Sequence, residues 1–402
     1  MRSLIKNFLP NNVLSVLKQV RYIWIVTLFH VFRLFPVKPE RIVLCNVWGF
    51  GDNAKYITEE LVRRRIRLRK QNKQHSGFEI IFVTNQPETA DAPKGVRVLK
   101  SNSLTAVMAQ ATARVWVDNN RKENYIRKRK GQYYIQTWHG GIALKKIEKD
   151  YEKLSPEYVA NAKRDSAMTD LYISNSSFCT NMYRNSFWYS GEILEYGSPR
   201  NDILLKADQV RLAAIRERLG VEPEVKIAVY APTYREGNNT KPYRMDYGKL
   251  LSVLKHKFGG EWVIEVRLHP LVSEQSNFMH YDEHIRNASH YRDLYELMAA
   301  GDILITDYSN IMFEFSFMKR PVFLYAADEA EYTKDRGFYF DYPSLPYDRA
   351  NSEKELFENI EQFSQTKYQE KMDAFFHTLE IFEYGNASQK VVDRILKVIG
   401  LY

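Results

Sequence analysis

Short, wholly apolar runs separated by longer stretches of mixed polarity recur along this chain, and their spacing predicts strands alternating with helices. Residues 42–46, 80–84, 115–118, 133–136 and 171–174 read as strands. Stretches such as residues 56–70 read as the helices between them. A second alternating set opens near Val225, with strands at 227–229, 262–266 and 303–306 and a buried helix at 311–317. Buried strands that alternate with helices build parallel sheets, so the fold class is α/β. Two such sets, and a length of 402 residues, give two domains. The boundary is expected between Asp202 and Glu224, where a charged helix over 207–219 ends at Gly220 and Pro223 follows. The divisions drawn are 1–38 as an N-terminal amphipathic helical segment, 39–210 as the first Rossmann-like domain and 211–402 as the second. No internal repeat or low-complexity tract interrupts them.

The N-terminal segment departs from this pattern. Residues 13–36 are apolar and aromatic but broken by Lys18, Arg21, His30 and Arg33. Its longest stretch without a formal charge, 22–32, falls short of the roughly 20 residues that span a bilayer, and no small-residue cleavage site follows it. Lys18, Arg21 and Arg33 beside Trp24, Phe29, Phe32 and Phe35 fit a helix lying in a membrane interface, with packing or homo-oligomer formation as the rival use.

Charge sharpens that expectation. The net charge is +9, from 58 Lys and Arg against 49 Asp and Glu. Much of the excess stands in two blocks, Arg63 to Lys73 and Arg121 to Lys130, with no nucleic-acid-binding motif beside them. Anionic lipid headgroups or a polyanionic acceptor suit them better. Hydrophobic residues, at 45%, suffice for globular cores, and only two cysteines occur, Cys45 and Cys179. They read as buried or incidental thiols in a reducing cytoplasm. His280, His284 and His290 lie close in sequence, but a helix carrying the first two is as readily a solvated face as a ligand set, and no structural metal is expected.

The candidate chemistry sits just past the strands, where open α/β sheets bind ligands. After residues 133–136 come Thr137-Trp138-His139-Gly140-Gly141, paired glycines letting the backbone approach a ligand and a histidine able to accept a proton from a hydroxyl. A lone histidine is more often held by core hydrogen bonds; the setting after a strand favours function here. After 303–305 come Thr306-Asp307-Tyr308-Ser309-Asn310 and the helix at 311–317, which suits a phosphate site or an ordinary N-cap. Arg200 in Gly197-Ser198-Pro199-Arg200-Asn201-Asp202, Arg235 in Tyr230-Ala231-Pro232-Thr233-Tyr234-Arg235, and Arg267 with His269 in Arg267-Leu268-His269-Pro270 repeat the theme.

These motifs, with Gly51-Asp52-Asn53-Ala54-Lys55-Tyr56, Leu144-Lys145 and the stretch from Tyr332 to Asp341, resemble the CDP-glycerol glycerophosphotransferases of teichoic acid and capsule synthesis, shorter primase-like members included. The resemblance covers about residues 46–342. Two departures flank the motifs: Gly141-Ile142 stands where the family usually has Thr-Pro, and Asn310 where it has a second serine. The resemblance implies a GT-B arrangement, two Rossmann-like domains facing each other across a cleft with the nucleotide held by the second, and a C-terminal helix at 391–399 returning to the first. It implies phosphoryl transfer from CDP-glycerol, or a related CDP-alditol, to a hydroxyl of an undecaprenyl-diphosphate-linked saccharide or polymer, with CMP released at the cytoplasmic face of a bacterial membrane. No cofactor or metal is implied.

On this reading His139 is the base, and His269, Arg267, Thr306 and Ser309 hold the pyrophosphate. Trp138, Gly140, Arg200, Arg235, Asp307 and Asn310 complete the substrate-binding set, with Asp307 orienting its loop through backbone hydrogen bonds. The rivals are a glycosyltransferase using a nucleotide sugar on the same fold, a ribitol phosphate transferase, and a non-catalytic module binding the membrane surface.

Overall fold

The computed structural model describes residues 11–71, 77–235, 243–268, 272, 279–332 and 337–401. Two sheets carry the fold. The first comprises β1 (Lys38–Cys45), β2 (Glu79–Thr84), β3 (Arg97–Lys100), β4 (Ala113–Asp118), β5 (Tyr133–Gln136), β6 (Leu171–Ser174) and β7 (Glu192–Glu195), in the order β3-β2-β1-β4-β5-β6-β7. The second comprises β8 (Lys226–Ala231), β9 (Trp262–Val266), β10 (Ile285–Asn287), β11 (Ile303–Thr306), β12 (Val322–Tyr325) and β13 (Asp348–Ala350), in the order β10-β9-β8-β11-β12-β13. Pairings within both are parallel. In each sheet the chain works outward on one side of its first strand and then crosses to the other side. That reversal creates a topological switch point, between β1 and β4 and again between β8 and β11.

The central strands are covered on both faces, which is why they read as unbroken apolar runs: Ile42 to Leu44, Val115 to Val117, Ile227 to Val229 and Ile303 to Ile305 are all buried. The edge strands escaped the sequence reading for the converse reason. β3 and β7 are half exposed, and β10 and β13 have three residues each.

Local signals set several boundaries. The helix expected over 207–219 runs Gln209–Leu219, because Asp208 caps it by accepting from Arg211 N. It stops where Gly220 turns left-handed at φ 65° and Val221 N reaches back to Arg216 O. No helix holds His280 and His284: they stand in irregular chain leading into β10, and like His290 they are exposed. Cys45 and Cys179 are both buried.

The chain separates into two compact units, one of residues 1–138, 160–172 and 389–402, the other of residues 139–159 and 173–388. The C-terminal helix Ala387–Val398 thus ends in the first unit. There Asp393 pairs with Arg64 at 2.7 Å, Arg394 donates to the Tyr133 hydroxyl at 2.9 Å, and the Val398 carbonyl accepts from Arg114 at 3.1 Å.

The N-terminal helix Asn11–Phe32 packs through Ile25 and Phe29, the Phe29 ring meeting Tyr125 edge-on at 5.6 Å. Its other side leaves Val16, Leu17, Val20, Ile23 and Trp24 exposed. Among the described residues no helix is long and apolar enough to cross a membrane. The basic blocks are less exposed than their sequence suggests. Arg65 is buried and donates to the Phe78 and Gly95 carbonyls, Lys128 pairs with Asp170, and Arg129 donates to the Phe35 and Ala111 carbonyls. Arg63, Arg67, Arg69, Lys70, Arg127 and Lys130 face solvent.

Candidate functional site

In the first unit, β5 ends at a turn whose shape is tightly determined. Buried Gln136 donates to the Tyr134 hydroxyl at 2.9 Å and the Asn120 carbonyl at 3.0 Å, while its own side-chain oxygen accepts from Trp138 N at 2.9 Å. Trp138 takes φ 53°, a left-handed conformation rare for a bulky residue, and Asn53 holds its carbonyl at 3.1 Å. Its ring is buried under the Arg121 guanidinium at 5.6 Å. Trp138 is therefore a wedge that fixes the turn.

The second unit begins at the next residue. His139 is exposed. Behind it Gly140 O accepts from the Tyr183 hydroxyl at 3.5 Å. Gly141 leaves room for Asn175: a Cβ there would stand 2.5 Å from Asn175 Nδ2, so a larger residue needs that side chain moved. Three residues on, Leu144 N donates to Asn310 Oδ1 at 2.9 Å. Tyr339 N to Leu144 O and Lys146 N to Gly337 O, both 2.8 Å, continue the stitching, and Lys145 bonds the Tyr332 hydroxyl. The segment that follows His139 is thus tied to the one that follows β11.

In that second segment the polar residues divide. Thr306 is fully buried and spends its hydroxyl proton on Ala231 O at 2.7 Å. Asp307 accepts from Thr233 N at 2.8 Å, from Tyr308 N at 2.7 Å and from Arg235 Nη2 at 2.7 Å. These are the bonds of a carboxylate that orients its loop. Ser309 is half-buried, and its hydroxyl makes no hydrogen bond among the described residues. Asn310, its oxygen committed to Leu144, keeps its amide N–H groups for another partner. The helix that follows, Ile311–Ser316, is short, and no side chain caps it.

The arginines are held by the protein itself. Arg235 is 6% exposed and grips Asp328 as well as Asp307. Burial alone would depress its pKa, but the hydrogen bonds and charges of Asp328 and Asp307 outweigh that and raise it. The guanidinium lies 5.1 Å from the Tyr308 ring and 4.7 Å from Tyr332, and those two rings stack at 3.9 Å. Arg200 is 3% exposed and pairs with Glu314 at 2.6 Å. Arg267 donates to the Ala288 and Tyr291 carbonyls, and burial lowers its pKa. The motif around Arg200 is a junction of the chain: Gly197 at φ 95° passes close to Glu383, Asn201 donates to Glu383 at 2.6 Å, and Asp202 accepts from Ala387 N and Ser388 N. His269 lies outside the described residues, as do Pro270 and residues 333–336.

Sequence reasoning did not assign roles to Asn175, Asp328 or the Tyr308–Tyr332 stack. Asn175 follows β6 as Ser309 follows β11, the one signal that could have singled it out. Asp328 belongs to no motif, Tyr332 only opens the stretch that ends at Asp341, and both meet Arg235 only through the fold.

A model of the family described as CDP-glycerol:poly(glycerophosphate) glycerophosphotransferase matches residues 27–397. A teichoic acid poly(glycerol phosphate) polymerase of Staphylococcus epidermidis is 33% identical over 90% of this chain, and the chain spans about half of that protein, 51%. One of the same name from Bacillus spizizenii is 30% identical over 92% of the chain and 95% of its own length. A structure of the wall teichoic acid polymerase TagF superposes with a TM-score of 0.82 at 31% identity, covering 98% of this chain and 99% of that one. A variant of the same polymerase soaked with CDPG gives 0.80 at 31%, over 96% of each chain. By its motifs, its two parallel sheets and a match along nearly its whole length, the chain belongs to the CDP-glycerol glycerophosphotransferase family.

Proposed function

We propose that this chain transfers glycerol phosphate from CDP-glycerol to a hydroxyl of a lipid-linked saccharide acceptor, releasing CMP. The acceptor oxygen forms a bond to the phosphorus beside the glycerol, the bond from that phosphorus to the CMP oxygen breaks, and the acceptor proton passes to His139. The observation that carries this reading is the 2.9 Å bond from Leu144 N to Asn310 Oδ1, which ties the segment after the candidate base to the segment with spare hydroxyl and amide donors. Phosphoryl transfer asks for positioning and charge stabilisation rather than covalent help, and such an arrangement supplies both. In the reading, Ser309, Asn310 and His269 donate to the pyrophosphate. Arg200, Arg235 and Arg267 hold the surrounding loops, a role suggested by their protein partners. The nucleotide would be held by the second unit, the one that carries Ser309 and Asn310.

Ser309→Ala should weaken CDP-glycerol binding about tenfold or more, the loss expected for a hydrogen bond to a charged oxygen. Calorimetry on the purified protein measures this directly. Unchanged affinity in both Ser309→Ala and Asn310→Ala would remove the phosphate site from the account.

We further place the enzyme at the cytoplasmic membrane face, with the exposed side of helix Asn11–Phe32 in the lipid interface. Flotation with anionic vesicles should then show a fraction that resists high salt. Replacing Leu17, Val20, Ile23 and Trp24 by serine, which spares the buried Ile25 and Phe29, should leave only salt-sensitive binding through the exposed arginines and lysines. Full-length protein that leaves the vesicles completely in high salt would reassign the helix to self-association.

A further inference from the structure

The loop that leaves β1 in the first unit carries a feature the transfer reaction has not used. It runs Asn46-Val47-Trp48-Gly49-Phe50-Gly51 into the helix Asp52–Lys70, beside the switch point between β1 and β4. It is anchored throughout. Phe50 packs edge-on against Phe82 at 4.8 Å, Asn46 bonds the Gly51 carbonyl at 3.1 Å, and Asn119 donates to the Asp52 carboxylate at 2.6 Å. Yet from this fixed loop Trp48 stands 78% exposed.

Its surroundings decide what it is for. Beyond β2 lie Asn85 and Gln86, both exposed, with Asn85 N bonded to the Val47 carbonyl at 3.3 Å. A Cβ on Gly49, at φ 125°, would stand 3.5 Å from Gln86 Oε1. Neither side-chain amide has a protein partner among the described residues. A membrane or protein contact surface is built from several exposed apolar side chains; here the exposed residues that open the adjoining loop are the amides Asn85 and Gln86, Asp52 closes the loop with a carboxylate, and the loop's other aromatic residue, Phe50, is buried. A flat aromatic face beside amides and a carboxylate matches a pyranose ring, whose C–H face stacks while its hydroxyls exchange hydrogen bonds. A glycerol phosphate chain has no ring face to stack.

We infer that Trp48, with Asn85, Gln86 and Asp52 from the two loops joined by the Asn85–Val47 bond, is a saccharide subsite that receives a sugar ring of the acceptor. The inference rests on the transferase reading only for the word acceptor. Saturation-transfer NMR with N,N′-diacetylchitobiose as probe tests the site itself. The wild-type protein should give a signal that Trp48→Ala loses and Trp48→Tyr largely keeps, and oligo(glycerol phosphate) should not displace the sugar. With CDP-glycerol and a lipid-linked disaccharide, Trp48→Ala should raise the acceptor KM about tenfold, the scale of one lost aromatic stack, and leave CDP-glycerol affinity unchanged. No signal from the wild type, an equal signal from Trp48→Ala, displacement by oligo(glycerol phosphate), or an unchanged acceptor KM overturns the inference. Wild-type protein that binds the sugar through Trp48 but not CDP-glycerol would instead sink the transferase reading and leave the subsite standing.

Discussion

His139→Ala should lower turnover by about a hundredfold or more while leaving CDP-glycerol affinity nearly intact. The expectation follows from where the residue sits. The turn before it is fixed by Gln136, Asn53 and the left-handed Trp138, and the segment after it by Tyr183 and Asn310, so an exposed imidazole is presented from a rigid backbone. Loss of a base that acts only as the acceptor proton departs lowers kcat without touching the donor's ground-state contacts. Steady-state kinetics beside calorimetry separates the two effects. Near-normal turnover would move the base elsewhere, and a collapse of donor affinity would make His139 a binding group.

The largest expected effect on stability belongs to Arg235. Its guanidinium is the common partner of Asp307 and Asp328 and lies against the Tyr308 and Tyr332 rings. Arg235→Ala would leave two carboxylates facing one another in a largely buried setting, and removing one partner of such a group costs about 3–5 kcal/mol. Arg235→Lys should recover little, because an ammonium cannot reproduce the forked bonds to two carboxylates. Thermal unfolding measures the loss. The same variants should weaken CDP-glycerol binding, since Asp307 positions the loop that carries Ser309. A variant as stable as the wild type would show that the carboxylates find other partners.

The parts of this protein legible in its sequence are those where physics leaves one solution. Strands buried on both faces had to be apolar runs, so β5 and β6 fell where expected and β1, β2 and β4 began only a few residues earlier. β3, β7, β10 and β13 gave no such signal, being short or half exposed. The motif residues that the structure describes stand after strand ends as expected, but their partners could not be read. An arginine beside a strand end looks alike whether it meets a phosphate or a carboxylate, and only the fold brings Glu314 to Arg200 and Asp328 to Arg235. The clustered arginines of 63–65 show the same limit: Arg63 faces water, while Arg64 and Arg65 turn inward to Asp393 and to backbone carbonyls. Asn310 shows it as well, its side-chain oxygen finding Leu144 N only in the fold.

Product mass distinguishes glycerol phosphate transfer from its rivals. Purified full-length protein incubated with CDP-glycerol and a lipid-linked disaccharide should release CMP in proportion to acceptor consumed, and the acceptor should gain one or more whole glycerol phosphate increments. His139→Ala should release little of either product in the same time. An acceptor that gains mass only from a nucleotide sugar, or CMP release with no mass added to any acceptor, would contradict the account.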